Sequence, residues 1–319
     1  MKLSVVIPIY NEEENINPLY DELKGVLKTL EHDYEIVFVD DGSKDSSLAL
    51  LEKIQRQDDN VVVVSFRRNF GQTAAMSAGF AYASGDVIAT MDGDMQNDPH
   101  DLPKFLAKME QEGCDLVSGW RHKRQDPFLN RRLPSMIANK IISIVTGVHL
   151  HDYGCTLKTF RKEITQGIHL YGEMHRFIPA IASGVGGKIA EIRAHHRPRR
   201  FGTSKYGISR TLRVVLDLMT VKFLLSYGTR PIHVFGTLGM ISGGLGFAIA
   251  LMMTIQRTFF GMPMSDRPLL LLAVLLLFMG IQFISIGLLG ELQVRTYHES
   301  QGKPIYVVRK VLGGRQGEP

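Results

Sequence analysis

The chain has 319 residues, with 37 Lys and Arg against 32 Asp and Glu, and a formal net charge of +5 at pH 7. A chain of this length can bury a substantial core in one large domain or two medium ones. A basic balance suits nucleic acid, anionic lipid or phosphate-bearing ligands, but no platform of aromatic and basic residues accompanies it, and we expect no nucleic-acid partner. The two cysteines, Cys114 and Cys155, are too few for a disulfide framework or a cysteine-rich metal site, and we expect buried thiols.

The N-terminal half alternates strand-like and helix-like segments. Short apolar runs rich in β-branched residues are typical of strands covered on both faces, and the segments between them have helical character. The predicted strands are 3–9, 34–40, 61–66 and 86–92, and the predicted helices are 12–30, 44–56 and 71–84. This alternation predicts an α/β fold with a mostly parallel sheet and helices on both sides.

Each predicted strand ends in a polar cluster. Parallel strands have their carboxyl ends at one edge of the sheet, which is where ligands bind in such folds. Any one cluster can be turn or cap chemistry, but four together indicate a binding edge. The chain has neither a G-x-G-x-x-G dinucleotide fingerprint after the first strand nor a P-loop motif. The clusters are Tyr10-Asn11-Glu12, Asp40-Asp41-Gly42-Ser43, Arg67-Arg68-Asn69 and Asp92-Gly93-Asp94.

The fourth cluster is rich in carboxylates, which cannot hold a phosphate unaided. Asp92 and Asp94 offer hard oxygen ligands, and Gln96 follows two residues later. Such oxygens suit Mg²⁺ or Mn²⁺, which could bridge them to a diphosphate. The sequence therefore predicts a Mg²⁺ or Mn²⁺ site formed by Asp92, Asp94 and Gln96.

Two long apolar segments distinguish the C-terminal part. Residues 232–255 and 268–290 contain no Asp, Glu, Lys or Arg and are long enough to cross a bilayer, although a hairpin of buried helices in a soluble protein is the alternative. Basic residues are dense before the first segment and after the second, which predicts that the N-terminal portion and the C-terminal tail lie in the cytosol. The N-terminus lacks the long apolar region of a signal peptide. We therefore predict a multi-pass protein of the cytoplasmic membrane.

Two further segments, 133–148 and 208–226, combine apolar residues at helical spacing with Lys and Arg. Helices of this kind can lie in the lipid headgroup layer, while an ordinary amphipathic helix on a soluble core is the alternative. The predicted organisation is an α/β domain, an interfacial helix, two membrane spans and a cytosolic tail. Their bounds are 1–206, 207–231, 232–290 and 291–319.

Several motifs, in this order, resemble family 2 glycosyltransferases of the GT-A fold. They are VVIPIYNEEENI, VDDGSKDSS, RNFGQTAAMSAGFAYASGDVIATMDGDMQNDP, DYGCTLKTFRK and RRFGTSKYG. Within the family they are similar to polyprenyl-phosphate glycosyltransferases, including dolichyl-phosphate mannose synthases and the bacterial undecaprenyl-phosphate glucosyl- and aminoarabinosyltransferases. The similarity runs from about Lys2 to Val308, including the apolar segments.

The resemblance implies roles for individual residues. Asp94 and Gln96 would bind the metal directly, with Asp92 acting through water or toward the sugar and ribose. Asp152 matches a carboxylate that is either a catalytic base or an orienting partner of a cation. The nucleotide pocket would be lined by Pro8, Tyr10, Glu12 and Asp40, and the donor or acceptor phosphates would be held by Arg121, Arg199, Ser204 and Lys205.

The implied reaction is transfer of a sugar from a nucleotide diphosphate, most simply a UDP-sugar, to a polyprenyl phosphate such as undecaprenyl phosphate, with inversion at the anomeric carbon. The acceptor phosphate is already anionic at pH 7, so a general base is optional. The product would serve cell-envelope glycan synthesis or lipid A modification. Relatives imply a homotetramer or dimer, and the sugar itself stays open.

Two alternatives have a different function. A processive polysaccharide synthase shares the early motifs, but such enzymes carry a Q-x-x-R-W segment, and the single tryptophan, Trp120, lies in the different context Ser118-Gly119-Trp120-Arg121. A non-catalytic nucleotide-sugar-binding membrane protein would keep the fold without turnover. The intact metal motif favours an enzyme.

Overall fold

The structure is a computed structural model that describes residues 1–122, 133–168, 170–172, 174–198, 216–223 and 304–314, together with scattered residues between 258 and 296. The chain forms two compact units. One comprises Met1–Val221 and Pro304–Pro319, and the other comprises Lys222–Lys303. Every candidate site residue that the structure describes belongs to the first unit.

The described part of the first unit is built on an eight-stranded sheet with the order β7-β5-β6-β4-β1-β2-β3-β8. Strands β1, β2, β3 and β4 are parallel to one another, and β5 and β7 run the same way because β6 is antiparallel to both β4 and β5. Strand β8 is antiparallel to β3 at the edge. The strands are β1 Lys2–Ile9, β2 Asp33–Asp40, β3 Val61–Phe66, β4 Val87–Thr90, β5 Leu116–Trp120, β6 Lys158–Arg161, β7 Ile189–Arg193 and β8 Val308–Leu312.

Seven helices between Glu13 and Gly184 accompany these strands in the described ranges, and short 3₁₀ segments precede two of them. The 3₁₀ segments are Pro99–Asp101 and Met174–Phe177. The helices are α1 Glu13–Leu27, α2 Ser47–Gln55, α3 Gln72–Tyr82, α4 Leu102–Glu112, α5 Leu133–Thr146, α6 Lys162–Gln166 and α7 Ile178–Gly184.

Both faces of the central strands are covered, as their unbroken apolar sequences require. Leu3 and Ile7 of β1 belong to the same buried core as Leu19 of α1. On the other face, Val6 lies so close to Gly79 of α3 that a Cβ there would come within 2.1 Å of a Val6 methyl carbon. Full burial of each such aliphatic side chain stabilises the fold by roughly 1.5–3 kcal/mol, so the alternating faces of β1 fix the helices on either side.

The predicted α/β architecture is confirmed. The four predicted strands and three predicted helices correspond to β1–β4 and α1–α3. Strand β4 ends at Thr90, two residues earlier than predicted, so Asp92 lies in the loop that follows it. The sequence did not indicate β5–β8, and β8 lies within the predicted tail 291–319. Both cysteines are buried and unbridged, as predicted.

The predicted membrane segments lie almost wholly outside the described residues. Among the residues that the structure describes, no helix combines the length and apolar character needed to cross a bilayer. Of the two predicted interfacial segments, 133–148 contains α5, and residues 216–223 of 208–226 are helical. The membrane hairpin and the four-part division of the chain stay predictions.

Candidate active site

The candidate site lies along the carboxyl edge of the parallel strands. Strands β1, β2, β4 and β5 end there in Ile9, Asp40, Thr90 and Trp120, and Arg121 follows β5 directly. Antiparallel β6 begins at the same edge, because Lys158 pairs with both Thr90 and Ser118. Segments far apart in sequence therefore meet around the loop that follows β4.

Asp92 is held by two side chains from different elements. The Gln72 side-chain amide at the start of α3 donates to Asp92 Oδ1 at 2.9 Å, and the Thr156 hydroxyl donates to Asp92 Oδ2 at 2.7 Å. Burial, followed by the negative charge of Asp94, raises the pKa of Asp92 to about 6. The two carboxylates thus repel one another in a partly desolvated setting, and a cation placed between them would remove that cost.

Asp94 and Gln96 form a tight turn in the loop after β4. Asp94 is buried, and its Oδ1 accepts the backbone N–H of Gln96 at 3.1 Å. Met95 between them has a positive φ of 60°, a conformation that few L-residues adopt. Pro8 borders this loop, since a Cβ on Gly93 would lie 3.2 Å from its carbonyl oxygen. The turn brings the predicted direct ligands close together.

Arg121 and Asp152 form a partly buried, two-pronged ion pair. Arg121 Nε lies 2.6 Å from Asp152 Oδ2, and Nη2 lies 2.9 Å from Oδ1. Asp152 is 2% exposed, and its Oδ1 also accepts the Gly154 backbone N–H at 3.0 Å. Burial lowers the pKa of Arg121, but the hydrogen bonds and charge of Asp152 outweigh it, and the net direction is upward. Asp152 therefore orients a permanently charged guanidinium at this edge.

The predicted nucleotide-pocket residues lie at the ends of β1 and β2. Asp40 is buried and accepts the Ser43 backbone N–H at 3.2 Å and the Ser65 hydroxyl at 3.0 Å. Glu12 accepts the Asn15 side-chain amide at 2.7 Å, and Tyr10 is half-buried beside them. A carboxylate has about four acceptor positions, so these bonds leave capacity for a base or ribose.

Three residues of the site were missed from the sequence. Gln72 and Thr156 hold Asp92, and Lys158 is 2% exposed with its ammonium donating to the Cys155 carbonyl. Burial lowers the pKa of Lys158. Thr156 and Lys158 lie within DYGCTLKTFRK and Gln72 within RNFGQTAAMS, so the motifs contained them, but nothing in their spacing indicated contact with Asp92.

The predicted phosphate-binding residues Arg199, Ser204 and Lys205 lie outside the described residues. The chain leading to them runs beside the loop after β4, where the Arg197 backbone N–H donates to the Gln96 carbonyl at 2.9 Å. Asn97 and His196 form a β-bridge at the same place. The described ranges thus bring together Asp92, Asp94, Gln96, Arg121 and Asp152, whereas the catalytic and binding roles of all predicted site residues stay predictions.

Comparison with known proteins identifies relatives over nearly the whole chain. Residues 4–168 match the model of the family described as glycosyl transferase family 2. The chain is 44% identical to a dodecaprenyl-phosphate galacturonate synthase from Rhizobium johnstonii, over 98% of this chain and 93% of that protein. It is 37% identical to an undecaprenyl-phosphate 4-deoxy-4-formamido-L-arabinose transferase from Proteus mirabilis, over 98% of this chain and 94% of that protein.

Solved structures share the fold at lower identity. Glucosyl-3-phosphoglycerate synthase from Mycobacterium tuberculosis, in complex with Mn²⁺ and uridine-diphosphate-glucose, superposes with a TM-score of 0.53 at 16% identity, covering 70% of this chain and 78% of that one. TarS from S. aureus, in complex with UDP-GlcNAc, gives 0.50 at 20% identity, covering 73% and 69%. This likeness concerns the fold alone, and it supports the GT-A form of the predicted α/β architecture.

Proposed function

The chain belongs to glycosyl transferase family 2, and on that premise we propose that this glycosyltransferase moves a sugar from a nucleotide diphosphate to a polyprenyl phosphate. The observation that carries the proposal is the placement, along one edge of the sheet, of an oxygen-rich loop and a partly buried arginine. Asp92, Asp94 and Gln96 lie in the loop after β4, and Arg121, held by Asp152, follows β5 and acts electrostatically on Asp92. One group suits a metal-bound diphosphate, and the other suits a phosphate. Relatives named for dodecaprenyl- and undecaprenyl-phosphate products support the lipid acceptor.

We infer that a divalent cation, Mg²⁺ or Mn²⁺, binds at Asp94 and Gln96, with Asp92 as the third ligand or acting through water. The donor set fits such an ion, because carboxylate and amide oxygens are hard ligands and two neighbouring carboxylates repel one another without it. When bound, the cation would stabilise the charge that develops on the leaving diphosphate. The Mn²⁺ in the structural neighbour is compatible with this assignment.

The residues of the protein position two anionic groups for reaction, the diphosphate of the donor and the phosphate of the acceptor. Pro8, Tyr10, Glu12 and Asp40 bind the nucleotide in this proposal. Arg121 grips the acceptor phosphate, and because Asp152 holds its Nε and Nη2, the guanidinium is fixed before the acceptor arrives. Arg199, Ser204 and Lys205 are proposed to add further phosphate contacts.

Asp152 is better explained as an orienting group than as a base. The nucleophile is a phosphate oxygen that is already ionised at neutral pH, so no proton has to be removed from it. Both Asp152 oxygens contact the Arg121 side chain, and each also accepts a backbone N–H, Oδ1 from Gly154 and Oδ2 from Arg121. The phosphate oxygen then attacks the anomeric carbon from the side opposite the diphosphate, which inverts the configuration.

Membrane attachment follows from the lipid acceptor and is supported by exposed apolar side chains. On α5, Met136 is 58% and Ile144 is 69% exposed, and Lys140 lies between them at the same four-residue spacing. Leu216 and Met219 are likewise exposed on the 216–223 helix. We propose that both helices lie in the headgroup layer of the cytoplasmic membrane and that 232–255 and 268–290 span it, with the site in the cytosol.

The proposal also covers the sugar donor and the assembly. The named products of the two relatives, a galacturonate and a 4-deoxy-4-formamido-L-arabinose, are both derivatives of sugars usually carried by nucleotides, and we propose a UDP-linked donor. A homodimer or homotetramer is proposed as the working assembly. The product would feed cell-envelope glycan synthesis or lipid A modification.

The test is a reconstituted transfer reaction. Full-length protein in detergent is incubated with undecaprenyl phosphate, Mg²⁺ or Mn²⁺ and a panel of UDP-sugars that includes UDP-galacturonate, and the lipid extract is analysed by mass spectrometry. We expect one lipid carrying one sugar, released nucleotide in equal amount, and loss of both with Asp94→Ala. A polymer would indicate a processive synthase, tight donor binding without nucleotide release would indicate a non-catalytic protein, and full activity of Asp94→Ala would overturn the metal assignment.

A further inference from the structure

An ion-pair cluster lies beside the proposed metal loop and has no role in the reaction described above. The Arg197 guanidinium contacts two carboxylates: Nη1 lies 2.8 Å from Glu22 Oε1, and Nη2 lies 2.7 Å from Asp98 Oδ1. Glu22 belongs to α1, and Asp98 follows Gln96 by two residues. Arg197 therefore joins a helix, the loop after β4 and its own segment, and these contacts are named here the Arg197 clamp.

The cluster could be mistaken for a second metal site. Ligand atoms of Glu22, Asp98 and His100 lie within 4.8 Å of one another, close enough to surround a cation. The positive charge is already supplied, however, because Arg197 contacts both carboxylates directly. Burial lowers the pKa of Arg197, but its bonds to Glu22 and Asp98 outweigh this effect and raise it, as expected for a satisfied ion pair.

The backbone of Arg197 acts on Gln96 itself. The Arg197 N–H donates to the Gln96 carbonyl at 2.9 Å, and the Gln96 side-chain Nε2 donates to the Arg197 carbonyl at 3.4 Å. A side-chain amide has one donor branch and one acceptor branch. Since the nitrogen bonds to Arg197, the oxygen Oε1 is on the other branch, and only the oxygen can coordinate a metal ion.

The same residues fix the position of the loop. Asp98 Oδ1 accepts the His100 backbone N–H at 3.0 Å and so caps the 3₁₀ segment Pro99–Asp101. The bridge between Asn97 and His196 adds a backbone connection one residue from each end of the Gln96–Arg197 contact. Side-chain and backbone contacts thus act together on Gln96. The residue before it, Met95, has a positive φ of 60°, which few L-residues adopt, so the turn depends on such contacts.

We propose that Arg197 is a positioning residue for the divalent cation: it holds the loop so that Gln96 presents its amide oxygen as a ligand. The inference rests on the proposed metal site at Asp94 and Gln96 and extends it to a residue outside the motif. Mutation of a residue that orients a metal ligand typically lowers metal affinity by about 10–100-fold. Arg197 is also two residues before Arg199, so the clamp sets where the chain enters the segment proposed to bind phosphate.

The experiment measures metal binding directly and does not depend on turnover. Full-length wild type, Arg197→Ala and Arg197→Lys are titrated with Mn²⁺ in the presence of UDP, and unbound Mn²⁺ is followed by electron paramagnetic resonance. We expect Arg197→Ala to weaken Mn²⁺ binding by about 10-fold or more. Arg197→Lys, which can keep one of the two ion pairs, should recover part of the loss, while UDP binding without metal stays within about twofold of wild type.

The matched control is Arg161→Ala. Arg161 also pairs with a carboxylate, Asp115 at 3.9 Å, but at the end of β6 away from the metal loop. If Arg197→Ala does not fold, Glu22→Gln removes one carboxylate charge from the clamp and should weaken Mn²⁺ binding by a smaller factor. Unchanged Mn²⁺ affinity in every clamp variant, or an equal loss in Arg161→Ala, would overturn the proposal. A wild-type protein that binds Mn²⁺ normally but makes no lipid product would instead count against the proposed function.

Discussion

Two pairs of aspartates lie at the same edge of the sheet and have different surroundings. Asp40 and Asp41 follow β2, and Asp41 accepts the backbone N–H groups of Phe70 at 2.6 Å and Gly71 at 2.9 Å. Asp92 and Asp94 follow β4, and Asp92 is held by side chains, from Gln72 and Thr156. Backbone donors hold Asp41 at this edge, whereas side-chain donors hold Asp92.

The pKa values make the same distinction. Burial raises the pKa of Asp41 to about 6, and the two backbone hydrogen bonds act in the opposite direction. Burial also raises the pKa of Asp92 to about 6, but there the next cause is the negative charge of Asp94. Burial is the largest cause for both carboxylates. For Asp41 the next causes are the two backbone hydrogen bonds, which lower the pKa, whereas for Asp92 the next cause is a negative neighbour that a cation would neutralise. Sequence proximity of two acids therefore does not define a metal site.

The largest expected effect comes from Asp94→Asn. The change keeps the side chain's shape but removes the charge proposed to bind the cation, so kcat should fall by roughly 10²–10³-fold. The midpoint of thermal unfolding should change little. The exposed Asp59 provides a matched control, and Asp59→Asn should leave kcat as it is. A wild-type kcat in Asp94→Asn would mean that the carboxylates after β4 differ from those after β2 in surroundings but not in a role in the reaction.

Asp41→Asn should affect stability more than chemistry. Asparagine has one side-chain oxygen where aspartate has two, so either the Phe70 or the Gly71 backbone N–H loses its acceptor. A buried unsatisfied donor costs about 1–3 kcal/mol in the free energy of unfolding. Chemical denaturation at pH 7 measures this difference. An activity loss as large as that of Asp94→Asn, with unchanged stability, would show that Asp41 acts on the substrate.

The same variant gives a pH dependence with a defined sign. The pKa of Asp41 rises from 3.8 to about 6 on folding, so the folded state keeps a proton that the unfolded state releases between these values. Its contribution to stability is therefore present below pH 3.8 and is lost as the pH rises through about 6. The stability of wild type relative to Asp41→Asn should fall over this interval, and a rising difference would contradict the assignment.

Thr156→Val tests how much one side-chain donor contributes to Asp92. The substitution keeps the branched shape and removes the hydroxyl that lies 2.7 Å from Asp92 Oδ2. A hydrogen bond to a charged group contributes about 1.5 kcal/mol or more, so kcat should fall by roughly 10-fold. Thr159→Val, three residues further along the chain in β6, is the control. Equal rates for the two variants would mean that Asp92 needs no such support.

Ser65→Ala is expected to have the smallest effect. It removes the hydroxyl that donates to Asp40 Oδ2 at 3.0 Å, a buried contact whose loss should cost about 1 kcal/mol in the free energy of unfolding. The KM for the donor should rise by less than about threefold, since Asp40 keeps its bond from the Ser43 backbone. A large rise in KM would move Asp40 and Ser65 into the group of residues that act on the ligand.

The sequence predicted the parts of the fold whose signal is local. Strands β1–β4 are continuous apolar runs buried on both faces, and the metal motif is contiguous in the chain. Strand β6 has only the four residues KTFR. Strand β8, VRKVL, carries two adjacent charged residues, and its positions alternate between half-buried and exposed at the edge of the sheet. Their pairing with β4 and β3 depends on partners far away in sequence, which no local pattern records.

The site also depends on contacts that no local pattern in the sequence predicts. Arg121 and Asp152 were each predicted, and an orienting role for Asp152 was one of two alternatives, but their two-pronged contact joins residues 31 positions apart. The Thr156 bond to Asp92 spans 64 positions, and the Gln96 bond to Arg197 spans 101. Residue chemistry indicated what the edge could bind, while only the packed sheet determines which side chains support it.

Strand β8 has a consequence for the part of the chain that precedes it. Because β8 pairs with β3, residues on both sides of the Lys222–Lys303 unit belong to one continuous sheet. A bilayer cannot pass through a hydrogen-bonded sheet, so the segment Lys222–Lys303 must begin and end on the same side of any membrane that it enters. If this segment enters a membrane, it crosses the membrane an even number of times. Reporter tags inserted after Gly186 and after Gly314 should therefore be accessible from the same face of the membrane.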